Sequence, residues 1–125
     1  MFQVEVTHKF TAEQIDDLLT CAFEGGSNYW YCIKRTVEPT EITYKIQSYL
    51  TPALNPGGSL VIVDREDDHE TAKEYFLNLE TIQKGLELMA KEYPYHMKNF
   101  IEENEDAETS DVFLQLCLFG EIVFG

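Results

Sequence analysis

Positive charge is what this sequence has least of. Nine Lys and Arg residues stand against 23 Asp and Glu residues, which gives the 125-residue chain a formal net charge of −14 at pH 7. Binding to nucleic-acid phosphates needs clustered Lys and Arg, and adsorption to an anionic membrane surface needs them as well. We therefore expect no direct binding to nucleic acid or to a membrane, whereas a basic protein would be attracted.

Cysteine is also scarce. Cys21, Cys32 and Cys117 are an odd number at wide spacings, and the three histidines are scattered singly. A structural zinc site needs about four closely spaced Cys or His ligands. The sequence therefore predicts buried free thiols, no metal site and a reducing compartment.

No long apolar run is present, and Glu5, His8 and Lys9 interrupt the region where a signal peptide would have its apolar core. No stretch approaches the length that spans a bilayer. We expect a cytoplasmic protein.

Catalytic and cofactor-binding motifs are missing too. We find no defensible Ser-His-Asp spacing, no HExxH, no Walker loop and no dinucleotide fingerprint. The acidic turn at residues 64–70 lacks the glycine and the terminal glutamate of an EF-hand loop, so it is typical of a solvated turn. We expect a protein that is not an enzyme and needs no cofactor.

The apolar pattern predicts a single α+β domain over residues 1–125, with a small, mainly antiparallel sheet and three to five packed helices. Strands are predicted at residues 2–6, 28–37, 60–65, 72–77 and 121–124. The second of these is placed at the centre of the sheet, and the third and fourth form a hairpin. The apolar last strand could pair with a neighbouring copy, so we also expect a homo-oligomer.

Helices are predicted to begin at the capping residues Thr11 and Asn78, with a short helix at 96–101 and a buried helix at 109–119. Gly25 is expected to end the first helix in a left-handed conformation, and Gly120 the last. Residues 40–54 fit either a helix or a strand, and we favour a short helix.

One segment predicts a ligand site. Ser27 and Asn28 follow two glycines, and Tyr29, Trp30 and Tyr31 come directly afterwards. Glycine turns let backbone N–H groups approach phosphate oxygens, and an aromatic ring stabilises a stacked base by about 1–3 kcal/mol. The segment therefore fits a nucleotide-like small molecule, although the same residues also fit a capped helix followed by a core strand.

Four further residues are candidates for the same site. Lys34, Arg35 and Arg65 could hold an anionic group, or each could form a salt bridge within the protein. Gln115 lies with Glu108 and Asp111 on one polar line of the last helix. We favour a line that faces water. If Gln115 is buried, its amide needs partners and could bind the polar edge of a ligand.

Several motifs together resemble the short proteins found in tailed bacteriophages and prophages. They are Glu24-Gly25-Gly26 followed by Tyr29-Trp30, a Gly57-Gly58-x-Leu60 turn into a strand that ends at Asp64, a helix at 79–85, and the stretch from Asp106 through Gln115 to the C-terminal FGEIVFG. The resemblance runs over most of the chain. It carries no established activity, but it implies a phage protein in the host cytosol that antagonises bacterial defence.

Three hypotheses follow from this context. The first is a sponge that sequesters a nucleotide-derived immune signal at residues 27–31, and we place it first on the sequence. The second is an acidic decoy that occupies the nucleic-acid-binding surface of a host defence protein through the acidic clusters at 64–70 and 102–111. The third is a phage accessory or structural protein without a small ligand.

Overall fold

The computed structural model describes residues 1–46 and 48–125. In this part of the chain the elements are, in order, α1 (Ala12–Cys21), a π-helical turn (Ala22–Gly26), β1 (Tyr31–Val37), β2 (Ser59–Asp64), β3 (Tyr75–Leu77), α2 (Leu79–Glu92), α3 (Pro94–Ile101) and α4 (Ala107–Phe119). The strands form one antiparallel sheet in the order β1-β2-β3. The predicted α+β class and antiparallel sheet are confirmed.

The start of α1 follows from its capping box. The Thr11 hydroxyl accepts a hydrogen bond from the Gln14 backbone N–H at 3.1 Å, and the Gln14 side chain accepts one from the Thr11 N–H at 2.8 Å. Two otherwise unpaired N–H groups are satisfied in this way. The predicted end at Gly25 is wrong: the helix continues as a wider turn closed by a hydrogen bond from Ser27 N to Ala22 O at 2.8 Å.

The middle of the sheet is β2, not β1 as predicted. Residues 60–63 are four consecutive apolar residues, each fully buried. Leu60 and Ile62 face the main core, and Val61 and Val63 lie on the opposite face of the sheet. β1 pairs with β2 alone and is therefore an edge strand, and its residues Arg35 and Thr36 are exposed.

Helices α2 and α4 cross at very close range. A Cβ atom on Gly85 would overlap the Cys117 sulfur and lie 3.1 Å from the Cys117 Cα and backbone N. The predicted C-terminal glycine of α4 is confirmed, because Gly120 adopts a left-handed φ of 74°. The prediction for the thiols is partly wrong: Cys117 is buried, but Cys21 and Cys32 are half-buried.

Both predicted terminal strands are wrong. Residues 1–10 form no strand, and Phe2, Val4 and Val6 are exposed. Alternation predicts which side chains would share a face, but it does not supply a neighbouring strand to pair with. Residues 121–124 form no strand either, because a buried side chain of α4 takes up their backbone groups, as described below.

The short helix predicted at residues 40–54 is also wrong for the described residues 40–46 and 48–54, which form turns and irregular structure. Gln47 lies outside the described residues. The buried Asn55 side chain organises this loop, since its carbonyl oxygen accepts hydrogen bonds from the backbone N–H groups of Thr43 and Tyr44 at 2.8 and 2.7 Å. No helix in the described part of the chain is long and apolar enough to cross a membrane.

Candidate functional site

The polar groups of the Ser27–Trp30 turn converge on one carboxylate of α4. The Ser27 hydroxyl and the Trp30 Nε1–H donate to one oxygen of Asp111 at 2.7 and 2.8 Å, and the Tyr29 hydroxyl donates to the other at 2.7 Å. Hydrogen bonds to an ionised acceptor are among the stronger ones in proteins. Three of the predicted ligand residues therefore have an intramolecular partner.

Trp30 belongs to the core. It is 2% exposed, and its ring stacks on Phe124 with the centroids 5.0 Å apart and the planes 8° apart. Phe119 contacts it from a second side at 5.3 Å. The alternative of a core position is therefore observed for Trp30, although the residue lies in the turn before β1 and not in a strand.

Gln115 binds the end of the chain. Its side-chain oxygen accepts hydrogen bonds from the backbone N–H groups of Val123 and Phe124, both at 2.8 Å, and its Nε2–H donates to the Phe124 carbonyl at 3.1 Å. The favoured prediction that this residue faces water is wrong, because Gln115 is 1% exposed. The backbone of the C-terminal segment therefore satisfies both the oxygen and the nitrogen of the Gln115 amide.

The two tyrosines differ in their surroundings. Tyr29 is 47% exposed. Partial burial and the hydrogen bond and negative charge of Asp111 raise the pKa of Tyr29 to about 12. Tyr31 is half-buried, packs edge-on against Phe23 and donates its hydroxyl to the Phe23 carbonyl at 2.6 Å, and burial raises its pKa as well.

Three predicted ligand residues meet around an open hollow of about 380 Å³. Asn28, Tyr31 and Arg65 line it together with Cys32 and Ile33. The Arg65 guanidinium donates to the Asn28 carbonyl oxygen, and the Arg65 backbone N–H donates to the Trp30 carbonyl at 2.9 Å. Within the described chain no carboxylate lies within 4.0 Å of the Arg65 guanidinium.

Lys34 and Arg35 lie elsewhere on the sheet. Glu74 pairs with both cations, at 3.0 Å from the Lys34 Nζ and 2.8 Å from the Arg35 Nη2. These hydrogen bonds and charges lower the pKa of Glu74. The β1 ladder is irregular between Ile33 and Arg35, and both neighbouring cations reach the same carboxylate. The salt-bridge alternative describes their observed contacts.

Both acidic segments contact the chain at the Ser27–Trp30 turn or directly beside it. Arg65, inside the 64–70 segment, is hydrogen-bonded to Asn28 and Trp30. Directly before the turn, Gly26 packs so closely on the carbonyl oxygen of Ala107, in the 102–111 segment, that a Cβ would overlap it. Segments about 40 residues apart in sequence thus border one turn, and residues 65–70 and 102–104 are all exposed.

Sequence reasoning missed Asp111 as the centre of this region. The residue stood out only as one member of a polar line on α4, whereas its partners lie 81 to 84 residues away. The available signal is a carboxylate that lies within one turn of the apolar part of α4, because such a group needs donors when it is packed against a neighbour.

A hollow of about 600 Å³ elsewhere in the described structure contains none of the nine predicted ligand residues. It lies between α2 and α3 beside Phe10, which stacks on Phe100 at 4.5 Å. No group of three or more His, Cys, Asp or Glu side chains among residues 1–46 and 48–125 is arranged to hold a metal ion.

Comparison with known proteins adds no assignment to this geometry: no protein-family model, no curated protein and no solved structure matches the chain.

Proposed function

We propose that the protein is a non-catalytic binding protein that acts as an acidic decoy and contacts a basic surface of a host defence protein in the host cytosol. The observation that carries the proposal is the position of the two acidic segments, which border the same rigid turn although they are far apart in sequence. The resemblance to phage proteins is the reason for proposing a host protein as the partner. The net charge of −14 supplies long-range attraction to a partner that normally binds nucleic acid.

The rigidity of the turn matters for such a contact. Asp111 holds Ser27, Tyr29 and Trp30 by three hydrogen bonds, so the turn that both acidic segments border keeps one shape. A preorganised surface loses less conformational entropy when it binds than a flexible acidic tail does. In this proposal the rings of Trp30, Phe119 and Phe124, which pack on one another, support the contact surface.

The test is salt-dependent capture of a nucleic-acid-binding protein from host lysate, followed by competition with DNA or RNA for the captured protein. One variant carries Glu66→Lys, Glu102→Lys and Glu103→Lys, which reverse charge in both segments. The control carries Glu38→Lys, Glu41→Lys and Glu92→Lys, exposed residues outside them. The two variants have the same net charge.

We expect the first variant to lose binding by tenfold or more, as an order of magnitude for several interface charges, and the control to lose much less. Binding should also weaken steeply with salt. Equal loss in both variants, or capture that nucleic acid does not displace, would contradict the decoy.

A second candidate is the sponge for a nucleotide-derived immune signal, which the hollow at Asn28, Tyr31 and Arg65 favours. Arg65 could hold a phosphate through the guanidinium donors that do not bind Asn28, and Tyr31 borders the space for a ring. Calorimetric titration with cyclic ADP-ribose variants and cyclic oligonucleotides tests this, with Arg65→Ala as the variant. Absence of heat and of a thermal shift for every compound would exclude the sponge.

A further inference from the structure

A third hollow combines three aromatic rings with two carboxylates. Its volume is about 180 Å³, and the rings of Tyr75, Phe119 and Phe124 form its wall. Tyr75 and Phe119 are perpendicular with centroids 4.6 Å apart, and Phe119 and Phe124 are inclined at 56° with centroids 5.9 Å apart. Ring faces and edges are therefore presented at several angles around one small space.

The rim of this hollow is acidic. Asp64 and Asp67 line it at the beginning of the exposed acidic segment. One oxygen of Asp64 accepts the Glu66 N–H at 2.9 Å, which fixes the orientation of that carboxylate. Carboxylates beside aromatic faces favour a cation, because both the charge and the ring quadrupole attract it.

The protein's own cation already lies at this place. The Lys73 ammonium is 5.2 Å from the centroid of the Tyr75 ring. Within the described chain Lys73 forms no ion pair within 4.0 Å. Its position indicates that a positive group is favoured at this hollow and that Lys73 must move, or share the site, when another cation enters.

We propose that this hollow receives an arginine side chain from the basic partner; the inference rests on the decoy function and names its point of contact. A guanidinium fits the chemistry better than an ammonium, because its plane can stack on a ring while its N–H fork donates to carboxylates at the rim. The proposed occupant is thus an arginine of a protein partner, bound at the edge of the acidic surface.

Lys73→Ala is the first test, and Lys91→Ala is its control. Both variants remove one exposed positive charge, but only Lys73 lies in the hollow. For a hexa-arginine peptide measured by calorimetry, we expect Lys73→Ala to tighten binding about threefold or more and Lys91→Ala to change it by less than about twofold. Because both variants lose the same charge, a gain confined to Lys73→Ala cannot come from the overall charge. Equal effects in the two variants would overturn the inference.

Asp67→Asn and Glu70→Gln form a second matched pair, because each removes one carboxylate from the same acidic turn and only Asp67 lines the hollow. We expect about a fivefold loss for Asp67→Asn and less than about twofold for Glu70→Gln. Hexa-lysine should bind more weakly than hexa-arginine. Resonances of the Tyr75, Phe119 and Phe124 rings should shift on titration.

The outcomes separate the two proposals. If hexa-arginine binds without shifting these ring resonances, and Asp67→Asn behaves like Glu70→Gln, the hollow is not the contact while the decoy function stands. If the arginine peptide occupies the hollow but host lysate gives no nucleic-acid-competitive partner, the hollow stands and the decoy function fails.

Discussion

Asp111 accepts hydrogen bonds from three side chains, two of which are buried and would otherwise lack an acceptor. Ser27 is fully buried and Trp30 nearly so, and both donate to the same carboxylate oxygen. A buried donor that loses its acceptor costs about 1–3 kcal/mol. Removal of the Asp111 carboxylate should therefore destabilise this turn by leaving two buried donors without an acceptor.

Tyr29 should titrate late because its hydroxyl is partly buried and donates to that carboxylate. Its pKa is raised to about 12 from the ordinary value of 10, so the folded protein binds the phenolic proton more tightly than the unfolded chain does. The resulting stability is fully present below about pH 10 and is lost as the pH rises towards about 12. Absorbance of tyrosinate against pH measures this directly.

The matched variants for this titration are Tyr29→Phe, which should remove one late-titrating group, and Asp111→Asn. The latter removes the negative charge but leaves the effect of burial, so the pKa of Tyr29 should fall partway towards 10. Tyr49, whose pKa burial also raises to about 12, should be unaffected. A Tyr29 pKa that is unchanged in Asp111→Asn would contradict the assigned cause.

Gln115→Leu should release the C-terminal segment. The change removes three hydrogen bonds to Val123 and Phe124, and we expect a loss of about 1–3 kcal/mol in the free energy of unfolding. Since Trp30 is the chain's single tryptophan and stacks on Phe124, its fluorescence should shift to the red. Val123→Ala, at an exposed position, is the control, and an unshifted spectrum in Gln115→Leu would argue against this role.

At the scale of elements, close contact between α2 and α4 depends on Gly85. Gly85→Ala places a methyl group against the sulfur and backbone of Cys117, and the backbone cannot yield without moving α4. We expect a loss of about 1–3 kcal/mol, typical of an overpacked core. Urea unfolding measures it.

Gly25→Ala is the matched control for that experiment. Nothing lies within 4 Å of a Cβ at Gly25, so the change should be neutral or slightly stabilising, since alanine favours helix. A similar loss in both variants would contradict the assigned cause, because alanine favours helix at both positions and only Gly85 contacts Cys117.

Elements defined by local chemistry could be predicted from the sequence. The caps at Thr11 and Asn78 and the left-handed Gly120 act on neighbouring residues, and all three are observed. The predictions of strands at the two ends of the chain were wrong, because a strand forms only when another strand, often far along the chain, pairs with it. In the candidate site, Asn28, Tyr31 and Arg65 do lie around one hollow. The hydrogen bonds to Asp111 and the ion pairs of Glu74 join residues far apart in sequence, so no local spacing predicts them.

At the scale of the whole molecule, the net charge of −14 opposes compactness through self-repulsion. Salt should therefore raise the melting temperature, because the screening length falls from about 30 Å at 0.01 M to about 3 Å at 1 M. Calorimetry over this range checks the direction. A melting temperature that falls with added NaCl would indicate that specific ion pairs outweigh the general repulsion.

The link between Asp111 and the Ser27–Trp30 turn also governs when the site can form during synthesis. Its hydrogen bonds join residues 81 to 84 positions apart, and contacts of such long sequence separation form late because a large loop must close first. The turn leaves the ribosome early but must wait for α4 before it is held in place. A nascent chain stalled before Asp111 should therefore lack the contact surface, although α1 can already be helical.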